Sequence, residues 1–319
     1  MTENLQDNTI KDAFRQYFLT KMLPQLKVWE EKRKKYLLIF ILTICIILLW
    51  GAVLIVNFEG ELAQFLDAWG WALCLVVLVV CCPLFMYYQR TKEKILPLII
   101  NFFGSFSYQY RPMLQTEILK QSKIIKDAEL LRSDDAFFGE YQGIKVGIIE
   151  YTVQKQSPDL KDKENNKIQS KKKYGIIFSA EMNKLFSGQT IVIEDRGMLN
   201  KFTHYKNLKR VSLEDPVFEK KFEVYSDDQI ESRYILTTAM IEQILKLKEF
   251  FPKIRFSFYK GQVLINIKTK KDYFENNYFF RSLLNKKSIE QIFVQMLSLF
   301  SIIQILKLNQ KNISKDAHQ

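Results

Sequence analysis

The side chains that most often perform chemistry in proteins are scarce in this sequence. It contains two histidines and four cysteines, at His204, His318, Cys45, Cys74, Cys81 and Cys82. All four cysteines lie within two long apolar runs, so none remains elsewhere to bind zinc, form a disulfide or act as a nucleophile. No GxSxG, GxxxxGK[ST] or GxGxxG motif is present, so neither a serine-hydrolase elbow nor a phosphate-binding loop is predicted.

Carboxylates are the remaining candidates for chemistry. Asp227, Asp228 and Glu231 are close enough in sequence to bind a metal ion together. They also follow Ser226 at the predicted start of a helix, where an N-cap and first-turn acids are stabilising. We expect this structural role, and we assign no metal ligand.

A catalytic site built on acids would require distant carboxylates to converge. The acids available for it are Glu140, Glu150, Glu181 and Asp227. Glu150 and Glu181 lie in strand patterns, where we expect an acid to face outward. The sequence therefore assigns no catalytic or cofactor-binding residue, and it implies no cofactor.

Two apolar runs are the elements around which the chain is organised. The first covers residues 37–57 and the second residues 69–88. Each run is about 20 residues long, which suffices for a helix to cross a bilayer. Neither run contains a charged side chain, which would be costly in the hydrocarbon core. The two runs predict a transmembrane hairpin over residues 36–90.

The charges that flank the two runs predict an orientation. Basic residues precede the first run at 32–35 and follow the second at 90–94, whereas the charged residues of the link 57–68 are all acidic. Under the positive-inside rule both termini are cytoplasmic and the link lies outside.

The balance of charge restricts the partners. The chain carries 47 basic and 35 acidic residues, a net charge of +12. Residues 91–319 contain 38 of the basic and 27 of the acidic residues. A basic domain beside a bilayer has anionic lipid headgroups as a natural partner, and an unknown protein partner is the other candidate. Nucleic acid is disfavoured, and a generally lysine-rich composition explains the charge equally well.

From residue 137 the hydrophobic period becomes two, which predicts strands. Residues 154–173 interrupt this pattern with seven lysines and predict a long, solvated hairpin loop. The clearest hairpin covers residues 254–267 and turns at Lys260-Gly261. Further strands are predicted at residues 137–141, 144–148, 174–182, 190–194, 211–213 and 222–225.

Helices are predicted before, between and after these strands. Residues 1–35 predict an amphipathic helix, interrupted at Pro24, that packs on its own domain or lies on the membrane surface. A second helix follows Ser226 and is split at Thr237-Thr238, where a threonine caps its second half. Ser288 is expected to begin the last helix, 288–308, which fits a core helix, a membrane-surface helix or a third span. We favour the core helix.

Three segments carry a family resemblance: FFGEYQGIKVGIIEY, FSGQTIVIED and LEDPVFEKKFEVYSDDQIESRYILTTAMIEQILKL. They resemble a family of bacterial membrane proteins called domain of unknown function 3137, and Phe218–Thr237 is the most specific part. The resemblance implies an N-terminal pair of membrane spans and a C-terminal α+β domain. It implies no activity.

These observations predict an α+β protein with a two-helix transmembrane hairpin and a cytoplasmic domain over residues 91–319. We expect a mostly antiparallel sheet of about five to eight strands with packed helices, and a pleckstrin-homology-like barrel is the alternative. The predicted function is a non-enzymatic, membrane-tethered binding or scaffold module of the cell inner membrane. The alternatives are an accessory subunit of a membrane complex or transporter, and a membrane-proximal enzyme with a carboxylate-based site.

Overall fold

The computed structural model describes residues 2–57, 91–113, 116–125, 131–161, 168–195, 197, 205, 207–270, 272–274 and 282–308. The second predicted span and both histidines lie outside these residues. The chain forms two compact units. The first comprises Met1–Phe102 and Asn276–Glu290, and the second comprises Phe103–Glu275 and Gln291–Gln319.

The first unit is built on a continuous N-terminal helical segment. Helix α1 (Thr2–Tyr17) passes through a π-helical turn (Phe18–Met22) into α2 (Leu23–Asn57). The prediction that Pro24 interrupts this helix is wrong. In a regular α-helix the proline ring would clash with the carbonyl four residues earlier. The wider turn, in which the Leu23 N–H donates to Phe18 O, lets the helix continue past the proline.

The first half of this helical segment packs within its own unit, which fits the first of the two alternatives for residues 1–35. Its buried residues recur every four positions and form one stripe: Phe14, Phe18, Met22 and Leu26. Residues 91–100 form helix α3, and this helix and the turn after it contact α1. Tyr17 Oη donates to Leu98 O at 3.1 Å, and the rings of Phe14 and Phe102 meet edge to face at 5.3 Å.

A buried ion pair joins α2 to the segment ahead of the last helix. Glu30 and Arg33 are 3% and 6% exposed. Arg33 donates from Nε to Glu30 Oε2 (2.9 Å) and from Nη2 to Oε1 (2.7 Å). The same carboxylate accepts from Ser282 Oγ (3.0 Å) and from the Leu283 N–H (2.9 Å). Burial raises the pKa of Glu30, but these hydrogen bonds and the Arg33 charge together lower it below its ordinary value.

The second unit contains one open sheet of nine strands within the described residues. Its order is β1-β2-β3-β4-β9-β8-β5-β7-β6, and every neighbouring pair is antiparallel. The α+β prediction is confirmed, and the barrel alternative is wrong because the sheet does not close. The strands are β1 (Phe106–Tyr110), β2 (Leu131–Tyr141), β3 (Ile144–Lys161), β4 (Ile168–Glu181), β5 (Gln189–Glu194), β6 (Lys209–Val211), β7 (Phe222–Ser226), β8 (Ile254–Tyr259) and β9 (Gln262–Thr269).

Most of the predicted polar loop is strand. β3 and β4 remain paired through Gln156↔Ser170, and again at Lys161↔Ile168. The loop prediction over residues 154–173 is therefore wrong for the described part of this segment. Lysine, glutamine and serine are weak strand formers, so composition favoured a loop. The pairing instead continues the register that the apolar parts of β3 and β4 establish.

Five helices follow α3 in the described residues: α4 (Thr116–Gln121), α5 (Pro216–Glu219), α6 (Gln229–Ile235), α7 (Thr238–Phe250) and α8 (Lys286–Ile305). The predicted split is confirmed, because the Thr237 side chain caps α7. Asp228, and not Ser226, caps α6, since its carboxylate accepts the first free N–H groups of that helix. The last helix begins at Lys286, two residues before the predicted Ser288.

Helix α8 packs its apolar side on the sheet. The Phe300 ring lies 5.4 Å from Phe106 of β1 and 4.5 Å from Tyr141 of β2. By length and composition α8 could also cross a membrane, but 44% of its most apolar window is buried within the protein. This packing fits the core-helix interpretation. From residue 292 onward its buried apolar side chains are Ile292, Phe293, Met296, Leu299, Phe300, Ile302 and Ile303.

Gly139 provides a test of how β1 joins the sheet. It pairs with Phe106, and a Cβ atom placed on it would collide with the Ser105 carbonyl oxygen and lie 2.7 Å from the Phe106 ring. Gly139→Ala should therefore lower the free energy of unfolding by about 1–3 kcal/mol, measured by chemical denaturation. A neutral Gly139→Ala variant would contradict this packing.

Candidate functional site

A β-bulge in β2 gathers acids at one point of the sheet. The β2–β3 register shifts by one residue between Ser133 and Ala136, so Asp134 and Asp135 together lie opposite Glu150. A bulge inserts one extra residue into a strand and bends it, which re-aims the side chains beside it. Two consecutive acids inside an otherwise strand-like segment were the signal for this bulge, because Asp is depleted in regular strands.

Glu150 lies at the centre of this site and is 1% exposed. Its carboxyl group accepts from the N–H of Tyr273, and from that of Phe274 at 3.4 Å. Burial, the hydrogen bond and charge of Asp272 and the charge of Asp135 raise the pKa of Glu150 to about 10, although the Tyr273 N–H opposes them. Glu150 is therefore protonated at neutral pH.

The prediction that Glu150 faces outward is wrong, because both faces of β3 are covered. Tyr151 and Val153 pack on one face in a cluster with Ile124. On the other face Phe274 is fully buried beside Phe137, with ring centroids 5.3 Å apart. A strand covered on both sides has no solvated face to receive an acid, and the charged form of a buried acid is strongly disfavoured.

Two of the remaining acids, Asp135 and Asp134, have polar partners of their own. Tyr108 Oη donates to Asp135 Oδ1 at 2.6 Å. Arg111 Nε lies 3.7 Å from Asp134 Oδ1 at the more exposed end of the site. Tyr273 Oη exchanges a hydrogen bond of 3.2 Å with a serine of α8, and burial raises the pKa of this phenol.

The acids of this site have two chemical ways to coexist. Asp134, Glu150 and Asp272 each place an oxygen within 4.8 Å of the others, and no other group of metal-ligating side chains does so in the described residues. Carboxylates this close either bind a cation or retain a proton. The proton on Glu150, its bond to Asp272 and its two backbone donors satisfy the Glu150 carboxyl group, whereas Asp272 Oδ1 is buried without a hydrogen-bond partner among the described residues. We describe the site as a buried acid cluster and assign it no reaction.

The acids singled out from sequence do not converge. Glu140 is exposed, and Glu181 forms an exposed ion pair of 3.1 Å with Lys145. Asp227 Oδ1 accepts from the Gln189 N–H (2.7 Å), and Glu231 accepts from the backbone N–H groups of residues 187 and 188. These two carboxylates hold the loop 187–189, a role that the sequence did not predict, whereas Asp228 caps α6.

The apolar half of α2 is the second feature with functional meaning. Over residues 38–50 most of its large apolar side chains are exposed, and Ile46, Leu48 and Leu49 are each at least 64% exposed, whereas Phe40 and Ile47 on one side of the helix are half-buried. Within Thr9–Ala52 the most apolar window is 0% buried, and its length and composition allow it to cross a membrane. A helix that is apolar on all sides is suited to a membrane or to the core of a large protein.

Comparison with known proteins supports the family resemblance. Residues 173–308, from β4 to just beyond α8, match the model of a family described as "Protein of unknown function (DUF3137)". No curated protein matches the chain. One solved structure is similar in part, the crystal structure of the mycobacterial trehalose monomycolate transport factor A, TtfA. The similarity extends over 63% of this chain and 88% of that chain, with 7% sequence identity and a TM-score of 0.34. A TM-score this low carries no argument.

Proposed function

We propose that this chain, whose residues 173–308 resemble a family of unknown function, is an integral membrane protein that tethers an α+β binding module to the cell inner membrane. The observation that carries the proposal is the exposure of most large apolar side chains in the apolar half of α2. About 20 apolar residues in a helix match the hydrocarbon thickness of a bilayer. Residues 32–35, which are all basic, precede this segment and suit the cytoplasmic headgroup region.

The tethered module acts by binding. Among the acids described above, Asp227 and Glu150 accept from backbone N–H groups and Glu181 pairs with a lysine. Its net positive charge suits anionic lipid headgroups or an acidic protein surface. Both termini lie in the cytoplasm in this proposal, because basic residues flank the apolar runs on that side.

The substitution Ile46→Arg tests the membrane anchor. Ile46 lies at the middle of the apolar segment, and an arginine at the centre of a span costs about 2.5–3.5 kcal/mol of insertion free energy. We expect the wild-type chain to stay in the pellet after carbonate extraction of membranes, and a larger fraction of Ile46→Arg than of the wild type to be released.

The matched control is Ile230→Arg, because Ile230 is 83% exposed on α6 and lies outside the anchor. It should leave the pellet fraction unchanged. Complete extraction of the wild-type chain by carbonate, or equal release of both variants, would contradict membrane anchoring through α2.

A further inference from the structure

The hairpin formed by β3 and β4 extends beyond the rest of the sheet. Pairing of β2 with β3 ends at Leu131↔Val153, and pairing of β9 with β4 ends at Thr269↔Tyr174. Beyond these positions β3 and β4 pair only with each other in the described residues. We call residues 154–161 and 168–173 the basic arm. Its eight-residue strand is roughly 26 Å long at about 3.3 Å per residue.

The composition of the basic arm does not favour a stable hairpin in the absence of a partner. It contains five lysines and one acid, and Leu160 and Ile168 are its only large apolar residues. Lys155 lies directly opposite Lys171 in the register, and like charges in this position are destabilising. The pairing is also irregular between Gln156 and Lys161, where Pro158 cannot donate a ladder hydrogen bond.

An isolated two-stranded hairpin is only marginally stable in water, even with a favourable sequence. The basic arm lacks both an apolar face and complementary charges, so an apolar groove is a poor partner for it. A surface that supplies many negative charges removes the repulsion between the lysines. Each lysine brought near such a surface contributes about 1 kcal/mol, or roughly a fivefold increase in binding.

We propose that the basic arm binds the anionic phospholipid headgroups of the membrane in which the chain is anchored. This inference rests on the proposed function. Tethering through α2 raises the effective concentration of the bilayer surface around the basic arm, which favours lipid over a freely diffusing polyanion such as nucleic acid. In the proposed orientation the basic arm is on the cytoplasmic side of the membrane. The cytoplasmic leaflet carries a negative surface potential, which attracts basic segments.

The test is hydrogen exchange of the intact protein in lipid nanodiscs. One set contains phosphatidylcholine alone, and the other contains phosphatidylcholine with phosphatidylglycerol. We expect amides of the basic arm to exchange at least tenfold more slowly in the anionic discs. Raising the salt from about 0.1 M to about 1 M shortens the Debye length from about 10 Å to about 3 Å and should remove this difference.

Two charge-matched variants isolate the basic arm from overall charge. The first replaces four of its lysines with glutamine: Lys155, Lys171, Lys172 and Lys173. The second replaces four exposed lysines elsewhere in the same unit with glutamine: Lys209, Lys220, Lys221 and Lys253. Only the first should lose the protection in anionic discs. Loss of protection in both variants would show that the protection depends only on the net charge of the chain, and it would overturn the inference.

The two proposals fail in different ways. If the wild-type chain does not enter nanodiscs, the proposed membrane anchor is wrong. If it enters them and the basic arm exchanges equally in neutral and anionic discs, the anchor stands and the lipid inference fails. Protection that appears only when single-stranded RNA is added to neutral discs would assign the basic arm to nucleic acid instead.

Discussion

Replacing Glu30 with leucine should lower the free energy of unfolding of the N-terminal helical unit by about 3–5 kcal/mol, because it leaves the buried Arg33 charge without a partner. The carboxylate also accepts from Ser282 and Leu283, so both donors lose their acceptor. We expect urea denaturation of the detergent-solubilised protein to show this loss. Hydrogen exchange at the Leu283 amide should accelerate in parallel.

A second substitution separates the charge from the hydrogen bonds. Glu30→Leu combined with Arg33→Met removes both charges and should recover part of the lost stability, leaving about 1–3 kcal/mol for each unpaired donor. Glu31→Leu is the control, because Glu31 is exposed one residue along the same helix. A Glu30→Leu variant as stable as this control would show that the ion pair does not form.

The pH dependence of this contribution follows from the lowered pKa of Glu30. The folded chain then binds fewer protons at this group than the unfolded chain, so stability rises with pH through the titration. The contribution is complete above the ordinary carboxyl value of 4.5 and is lost as the pH falls through the lower, folded value.

The opposite pH dependence is expected at Glu150. Its pKa is raised from 4.5 to about 10 in the folded chain, so the folded state binds the extra proton between these values. Stability should therefore fall as pH rises, by up to about 1.4 kcal/mol per pH unit. Glu150→Gln keeps an acceptor for the Tyr273 N–H and a donor toward Asp272 without an ionisable group. We expect this variant to match the wild type near pH 5 and to be several kcal/mol more stable near pH 9.

Denaturation curves collected from pH 5 to pH 9, in the presence of a chelator, measure this difference. Glu181→Gln is the control, because Glu181 is exposed and pairs with Lys145 at the surface. Glu181→Gln should leave the slope of unfolding free energy against pH unchanged. Parallel profiles for the wild type and Glu150→Gln would contradict a buried proton at Glu150. A wild-type profile that flattens when Mg²⁺ or Ca²⁺ is added would assign the acid cluster to a cation.

Local signals in the sequence predicted local features of the fold well. The β8–β9 hairpin has its turn at Lys260-Gly261, and both residues adopt the positive φ that a tight hairpin requires. Thr237 caps α7 because its hydroxyl can satisfy a free N–H at the helix start, which is a property of the residue and its immediate neighbours.

Features that depend on distant parts of the chain were missed. Alternation cannot reveal that Tyr273 and the fully buried Phe274 cover the face of β3 that carries Glu150. The approach of Asp272 to Glu150 joins residues 122 positions apart (272 − 150). Pro24 was misinterpreted because a proline ends many helices, and the π-helical turn that accommodates it has no signature in a single sequence.

The strand order has a consequence for synthesis. Strands β1 to β4 can pair in turn as the chain emerges, but the inner edge of β4 must wait for β9. Their register joins Glu181 to Gln262, 81 positions later (262 − 181). At about 5–20 residues per second the ribosome needs roughly 4–16 s to supply that partner. During this interval the nascent chain presents an unpaired, apolar strand edge around Phe178, which is where aggregation or a chaperone would act first.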